Sequence, residues 1–535
     1  MAQGRASTRL RASLLLAAGI FLACISGAPR AADPVVVGSK NFAESRLLAE
    51  MFARLIEEHA GLEVERRFDL AGTTVCFDGL RSGAIDLYPE YTGTGLVTLL
   101  GQPVEGGPSQ TLRTVRREFL DRWQLQWLAP LGFENAYELA VPRELAERHG
   151  LRTISDLVGV AGELRAGLGY EFLEREDGLP GLEKVYGLRF AEQRGMQQAL
   201  KYRAAAAREI DCLDVYTTDG RLLVHDLQVL EDDRGFFPPY QAAPLVRREL
   251  LEEQPGVAGA LALLSGAFDE DAMRALNLRM QEQGEPAEQV AQDALEELGL
   301  VGEREIAAVA TEGRSWWSYL WATRAEIGRR TLEHLGLTAL PLLLGILFAV
   351  PLAMWLARVD ARAAAGSARG SRFAEQVIRL IAVTQTIPSI ALLAFMLPLL
   401  GVGWKPAVAA LWIYSLFPIL RNTFTGLRDA GPAAVAAATA LGMTESQVLR
   451  HVRLPLAAPV IMAGVRTSAV LLVGTAVLAA FIGAGGLGVP IVSGLQLADN
   501  TRVLSGAVPA ALLAVLVDGI LAAVERGIRP RGLQK

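Results

Sequence analysis

Two different rhythms of apolar and polar positions divide the chain. From Val35 to Gly299 the apolar runs are short and broken by charged and turn-forming residues. Val35-Val36-Val37, Leu62 to Phe68 and Ile85-Asp86-Leu87-Tyr88 predict strands. Glu44 to His59 and Val75 to Arg81 lie between them with the spacing of helices. Strand–helix alternation of this kind predicts an α/β fold with a mostly parallel sheet. Beyond residue 330 the rhythm changes. Five long apolar segments follow, at about 334–357, 376–400, 406–420, 457–482 and 503–524. Each approaches the ~20 residues that a helix needs to cross a membrane, the third being short. Trp316, Trp317, Tyr319 and Trp321 precede them, as aromatics do at a membrane interface.

Charge follows the same seam. Residues 33–310 carry a net −20 and residues 311–535 a net +10, a contrast that the overall 51% hydrophobic and 21% charged composition averages away. An acidic half joined to a basic, apolar half predicts a soluble domain outside the cytoplasm and a membrane domain. If the first spanning helix runs inward, Arg358, Arg362, Arg369, Arg372, Arg421, Arg428, Arg450 and Arg453 all fall on the inner side, with the tail Arg526, Arg529, Arg531 and Lys535. The reverse topology would put most of these arginines outside. At the other end, Arg5, Arg9 and Arg11, the apolar run Leu14 to Cys24 and the small residues Gly27, Ala28, Ala31 and Ala32 predict an export signal over 1–32. An uncleaved anchor and a lipid attached at Cys24 are alternatives. Cys76 and Cys212 are read as buried apolar residues or as a disulfide that an oxidising compartment would permit.

The chain shows no catalytic or metal-binding constellation. It has five His and none forms an H-E-x-x-H pair. It has no G-x-S-x-G elbow and no G-x-x-x-x-G-K-[ST] phosphate loop, so it cannot hydrolyse ATP by that route. More informative are four tyrosines in loop-like surroundings: Tyr91 after Pro89-Glu90, Tyr137 after Phe133-Glu134-Asn135-Ala136, Tyr216 before Thr217-Thr218-Asp219-Gly220, and Tyr240 after Phe236-Phe237-Pro238-Pro239. Aromatic faces gathered from loops attract a quaternary ammonium, a cation that cannot donate a hydrogen bond. Any one of these tyrosines could equally be a packing residue.

The strings GSKNFAESRLLAEM, GTTVCFDGLRSGAIDLYPEYTGTGL, DVYTTDGRL and LEDDRGFFPPYQAAPLVR resemble, in order, the substrate-binding proteins of osmoprotectant ABC importers of the glycine betaine/carnitine/choline type. The resemblance implies a two-lobed periplasmic binding fold of type II over 33–305. One lobe would hold about 33–131 and 236–305, the other about 132–235, closing on a ligand by hinge motion. It gives Tyr91, Tyr137, Tyr216 and Tyr240 the role of an aromatic cage, and Lys40, Thr94 and Arg175 that of holding a betaine carboxylate. Asn135 would offer its backbone carbonyl. Thr74 stands where an acidic side chain would suit the hydroxyl of choline. Thr neither attracts that hydroxyl nor repels a carboxylate, and Asp69 is nearby. Ergothioneine and other trimethylammonium solutes would fit the same cage.

Ala436 to Pro455 reads A-A-A-T-A-L-G-M-T-E-S-Q-V-L-R-H-V-R-L-P and resembles the coupling motif of ABC importer permeases, E-A-A-x3-G-x9-I-x-L-P. Gly442, Leu454 and Pro455 match, while Ala436 replaces the first Glu and Val452 the Ile. Gln385-Thr386-Ile387-Pro388-Ser389 and Ile482 to Gly488 are also similar to this permease family. The implied organisation is a linker at 306–333, an all-α transmembrane permease of about five helices over 334–525 with a cytoplasmic coupling loop at 436–455, and a tail at 526–535. The implied partners are a separate ATP-binding subunit, which alone binds ATP and magnesium, a second copy of the chain, membrane lipid and a quaternary ammonium solute. No cofactor, metal, nucleic acid or enzymatic activity is expected of the chain, and its expected location is the bacterial inner membrane with the binding domain on the periplasmic side. A ligand-sensing receptor is the competing reading. It would want a cytoplasmic signalling domain, and it has no use for an ATPase-docking loop.

Overall fold

The computed structural model describes residues 34–302, 316–364, 369–497 and 499–528. The expected signal at 1–32 with Cys24, most of the linker's first half and the end of the tail lie outside these residues. The chain forms two compact units, one mainly Asp33–Arg324, the other mainly Ala325–Val489 with Ser505–Lys535.

The first unit contains two five-stranded sheets. One has the order β2-β1-β3-β10-β4, with β1 at Val35–Lys40, β2 at Val64–Leu70, β3 at Leu87–Tyr91, β4 at Leu125–Trp127 and β10 at Ala242–Arg247. The other has the order β7-β6-β8-β5-β9, with β5 at Tyr137–Pro142, β6 at Arg165–Leu168, β7 at Glu192–Gly195, β8 at Cys212–Tyr216 and β9 at Leu227–Leu230. The expectation of a mostly parallel sheet holds in both, with four of the five strands in each running the same way and one strand reversed. In the first sheet β1 runs parallel to β2 and β3, but β10 is antiparallel to β3 and β4. In the second, β6 is parallel to β7 and β8, while β5 is antiparallel to β8 and β9. The reversed strand of the first sheet follows from connectivity. The chain leaves the first sheet after β4, builds the second, and returns as β10, which enters between β3 and β4 from the far side. Local periodicity does not record that return.

Both sheets are covered by helices. Ala43–Leu55 follows β1 and buries Leu47, Leu48, Met51, Phe52 and Leu55 completely. Behind the second sheet Lys201 is wholly buried. Its ammonium reaches the Asp214 carboxylate at 2.7 Å and the Asp214 carbonyl at 2.8 Å. Cys76 and Cys212 are buried free thiols, as the packing reading expects.

Among the described residues, four helices are long and apolar enough to cross a membrane: Arg324–Ala361, Trp404–Arg428, Glu445–Ile482 and Asn500–Ile528. A bent pair, Phe373–Gln385 and Ser389–Leu400, makes a fifth if counted as one span. The sequence pattern predicts one helix over 376–400, but the backbone turns by 93° there. Pro388 explains the break, since it cannot donate to the preceding turn and disfavours helix at Ile387. Trp404–Arg428 packs closely on Leu454–Ala476. A Cβ on Gly464 would stand 2.8 Å from the Pro418 carbonyl, and Ser468 donates to the Ser415 carbonyl at 2.9 Å. Small residues at a crossing allow this approach. The glycine-rich stretch after Ile482 is pinned by the start of the first span, where Glu333 accepts the Gly486 N–H at 3.0 Å and His334 accepts the Leu487 N–H at 3.3 Å.

Candidate functional site

Three of the four tyrosines predicted to act together meet at the junction of the two sheets, and the fourth joins them through a ring that the sequence reading left out. Strand register does the first part. In the antiparallel pair β5–β8, Tyr137 stands opposite Tyr216, so their rings share one face with centroids 4.9 Å apart. Tyr240, on the segment returning to the first sheet, meets Tyr137 edge-on at 5.9 Å. Tyr91 ends β3 in the first sheet. Phe42 lies 6.2 Å from both Tyr91 and Tyr216 and bridges the two sheets with its ring. Phe172 and Phe237 extend the wall, at 5.1 and 6.4 Å from Tyr137.

The predicted cations are present and already neutralised. Lys40 Nζ contacts Glu90 at 2.5 Å and lies 5.2 Å from the centre of the Tyr91 ring. Arg175 binds Asp177 through Nε at 2.8 Å and donates to Thr94 Oγ1 at 3.3 Å. Its guanidinium sits 5.5 Å from the centre of the Tyr137 ring, itself a cation over an aromatic face. Tyr240 Oη donates to the same Asp177 at 2.7 Å. Arg175 and Thr94 thus join the two sheets across the site. Thr74 is outside this cluster, exposed at the start of the helix Gly72–Arg81. Asp69 is held by Arg46.

Glu44 is a residue that sequence reasoning missed. It is 2% exposed and accepts four hydrogen bonds: from Tyr91 Oη at 2.6 Å, Asn135 Nδ2 at 2.7 Å, Asn277 Nδ2 at 2.9 Å and Thr218 Oγ1. Burial raises its pKa, and the four donors pull it back. Asn135, expected to contribute its carbonyl, turns its side chain to Glu44 and donates its N–H to the Tyr240 carbonyl at 3.0 Å. Phe42 and Glu44 stand in the first quoted string, so a signal was present. Only the fold shows that this turn faces Asn277 and Thr218, more than 170 residues away.

Comparison with known families gives this geometry its context. Residues 33–297 match the family model described as the substrate-binding domain of an ABC-type glycine betaine transport system. Residues 349–530 match that of the binding-protein-dependent transport system inner membrane component. The choline transport system permease protein OpuBB of Bacillus subtilis is 44% identical over 217 residues, 41% of this chain and 95% of that protein. The glycine-betaine-binding protein of Pseudomonas aeruginosa PAO1 is 35% identical over 302 residues, 54% of this chain and 94% of that protein. The chain belongs to the ABC-type glycine betaine transport family. It fuses the binding and inner-membrane components of such a system in one polypeptide, a multi-pass protein of the inner membrane and not an enzyme. The ergothioneine transport permease/ergothioneine binding protein EgtU of Helicobacter pylori is 35% identical over 291 residues, 54% of this chain and 51% of that protein.

In the inner-membrane component of this transporter, the segment resembling the coupling motif forms two helical pieces about a tight turn. The helix Pro432–Ala440 is followed by Leu441 and then Gly442, whose φ of +80° suits a residue without Cβ. Thr444 then caps the helix Glu445–Val448 in a reciprocal capping box with Gln447. The turn presents Leu441 at 84% exposure, and Ala436 and Pro455 are exposed as well, while Leu454 is half-buried at the start of the spanning helix Leu454–Ala476.

Proposed function

We propose that the chain captures a quaternary ammonium osmoprotectant of the glycine betaine, choline and carnitine class outside the membrane and passes it through its own permease half. Tyr91, Tyr137, Tyr216 and Tyr240, with Phe42 between them, form the cage for the trimethylammonium group. Lys40, Thr94 and Arg175 serve the opposite, carboxylate end. Because Glu90 and Asp177 hold these two cations, a carboxylate would have to share them, which favours lobe closure as the moment of capture. The observation that carries the reading is the convergence of the tyrosine rings beside a buried guanidinium at the junction of the two sheets. Arg175 already uses one ring face as a cation does.

Energy comes from a separate ATP-binding subunit, which binds ATP and magnesium. It docks on the loop that includes Ala436, Gly442, Leu454 and Pro455, with the exposed Leu441 as its apolar contact. Two copies of the chain pair in the working transporter. Calorimetry on the full chain in nanodiscs tests the reading with glycine betaine, choline, carnitine, proline betaine and ergothioneine. Saturable binding of at least one trimethylammonium solute is expected, and heats no larger than those of a non-methylated control across the whole panel would overturn it. The relation to the fused Helicobacter protein supports a second reading, in which ergothioneine is the preferred member of the panel.

A further inference from the structure

Next to the aromatic wall lies a small cavity of about 30 Å³ whose lining includes Phe42, Glu44, Asn135, Tyr216, Thr218 and Asn277. That is room for one small polar group. The polar lining is lopsided. The amide nitrogens of Asn135 and Asn277 and the Thr218 hydroxyl all donate to Glu44, and Asn277 Nδ2 also serves the Thr218 carbonyl at 2.9 Å. Thr218 Oγ1 and Asn277 Nδ2 have no hydrogen left to give, and all four partners of Glu44 are neutral. The lining also holds Gln198, Asp219, Arg221 and Gln281, with the Arg221 guanidinium held by Asp219 and Glu282, and the buried side-chain atoms there that lack a partner are acceptors. Asn135 Oδ1 and Asn277 Oδ1 are buried, on residues 7% and 1% exposed, and have no hydrogen-bond partner among the described residues. Buried acceptors in native proteins are normally satisfied. A carboxylate flanked by two unsatisfied carbonyl oxygens repels an anion and suits a donor.

We propose that this compartment is a hydrogen-bond-donor subsite. It selects quaternary ammonium solutes that also carry an O–H or N–H group over solutes whose other end only accepts. The inference rests on the cage reading, because Tyr216 is shared: it lines the cavity, and its ring lies 4.9 Å from that of Tyr137 in the cage. A solute with its trimethylammonium against these rings would reach the acceptors with the adjoining hydroxyl or ring N–H. A carboxylate would point the other way, towards Lys40 and Arg175.

The test compares choline with its O-methyl ether, the same cation without the donor, by calorimetry on the full chain in nanodiscs. Wild type should bind choline at least about tenfold more tightly, since a site built around a donor rejects the analogue that lacks it. Asn277→Leu, of similar volume but without the acceptor, should narrow that ratio to about threefold or less. Equal affinity of wild type for the two ligands overturns the subsite, as does a variant that weakens both ligands by the same factor. If Asn277→Leu does not fold, as read from its thermal melt, the wild-type ratio decides alone. Failure of the cage reads differently: Tyr240→Ala would then leave both affinities unchanged whatever their ratio.

Discussion

Replacing Tyr216 by Ala is the sharpest test of how the site works. The ring stacks on Phe42 at 6.2 Å and 15° and meets Tyr137 at 4.9 Å with a tilt of 33°, so it joins the two sheets' contributions to the wall. A desolvated cation–π contact contributes about 2 kcal/mol, which is roughly a thirtyfold change in affinity. Each aromatic pair adds about 0.5–1.5 kcal/mol to stability beyond area burial. Tyr216→Ala should therefore weaken solute binding about thirtyfold and lower the melting temperature measurably. Tyr216→Phe keeps the ring and loses only a hydroxyl contact to Tyr137 Oη at 3.4 Å, long for an O–H···O bond. Its affinity should stay within about threefold of wild type. Calorimetry with choline and with 3,3-dimethylbutanol, its neutral carbon isostere, separates charge from packing. The Ala variant should lose most of the preference for the cation. Phe as damaging as Ala, or an undiminished preference for the cation in the Ala variant, would refute the reasoning.

Three further outcomes are expected. Gly442→Ala forces a Cβ into a φ of +80° where no neighbouring atom lies within 4 Å, so only backbone strain of about 1–2 kcal/mol acts. Reconstituted ATP-driven uptake should fall while solute binding by the same protein persists, and unchanged uptake would count against docking at this turn. Lys201→Met leaves the Asp214 carboxylate buried without its cation, which costs about 3–5 kcal/mol. Urea unfolding should show that loss, and a variant as stable as wild type would contradict it. Burial pushes the Glu138 carboxyl up to about 7, with Arg274 opposing and Glu270 adding to the shift. A raised carboxyl favours the protonated native state, so its contribution to stability is complete below the ordinary value of 4.5 and is lost as pH rises to about 7. Glu138→Gln should flatten the melting temperature across that window, and an unchanged slope would assign the pH dependence elsewhere.

The division into an acidic α/β part and a basic membrane part was legible in sequence because burial and topology act on composition segment by segment. An apolar stretch of spanning length, or arginines gathered between such stretches, carries its meaning whatever it touches. The tyrosines were legible for a narrower reason: Tyr91, Tyr216 and Tyr240 stand in short strings that resemble a known family, and Tyr137 follows a loop-like run of Phe133 to Ala136. Phe42 and Glu44 were overlooked in such a string because an apolar ring and a lone carboxyl read locally as the first turn of an amphipathic helix. Likewise nothing local marks the partners of Lys40 and Arg175. Asp177 is close in sequence, but Glu90 is 50 residues from Lys40.

The sequence by itself determined the two compartments, the approximate spans and the residue types available for a cation. Tertiary structure decided which of them meet. It placed Tyr137 opposite Tyr216 through strand register, brought β10 back antiparallel between β3 and β4, bent the second apolar segment at Pro388, and gathered four donors from distant segments onto Glu44. The reason is that side-chain periodicity reports only whether a position faces a core. Pairing across a sheet or a hinge depends on the path of the whole chain, and the charge balance of the site exists only after that path has closed.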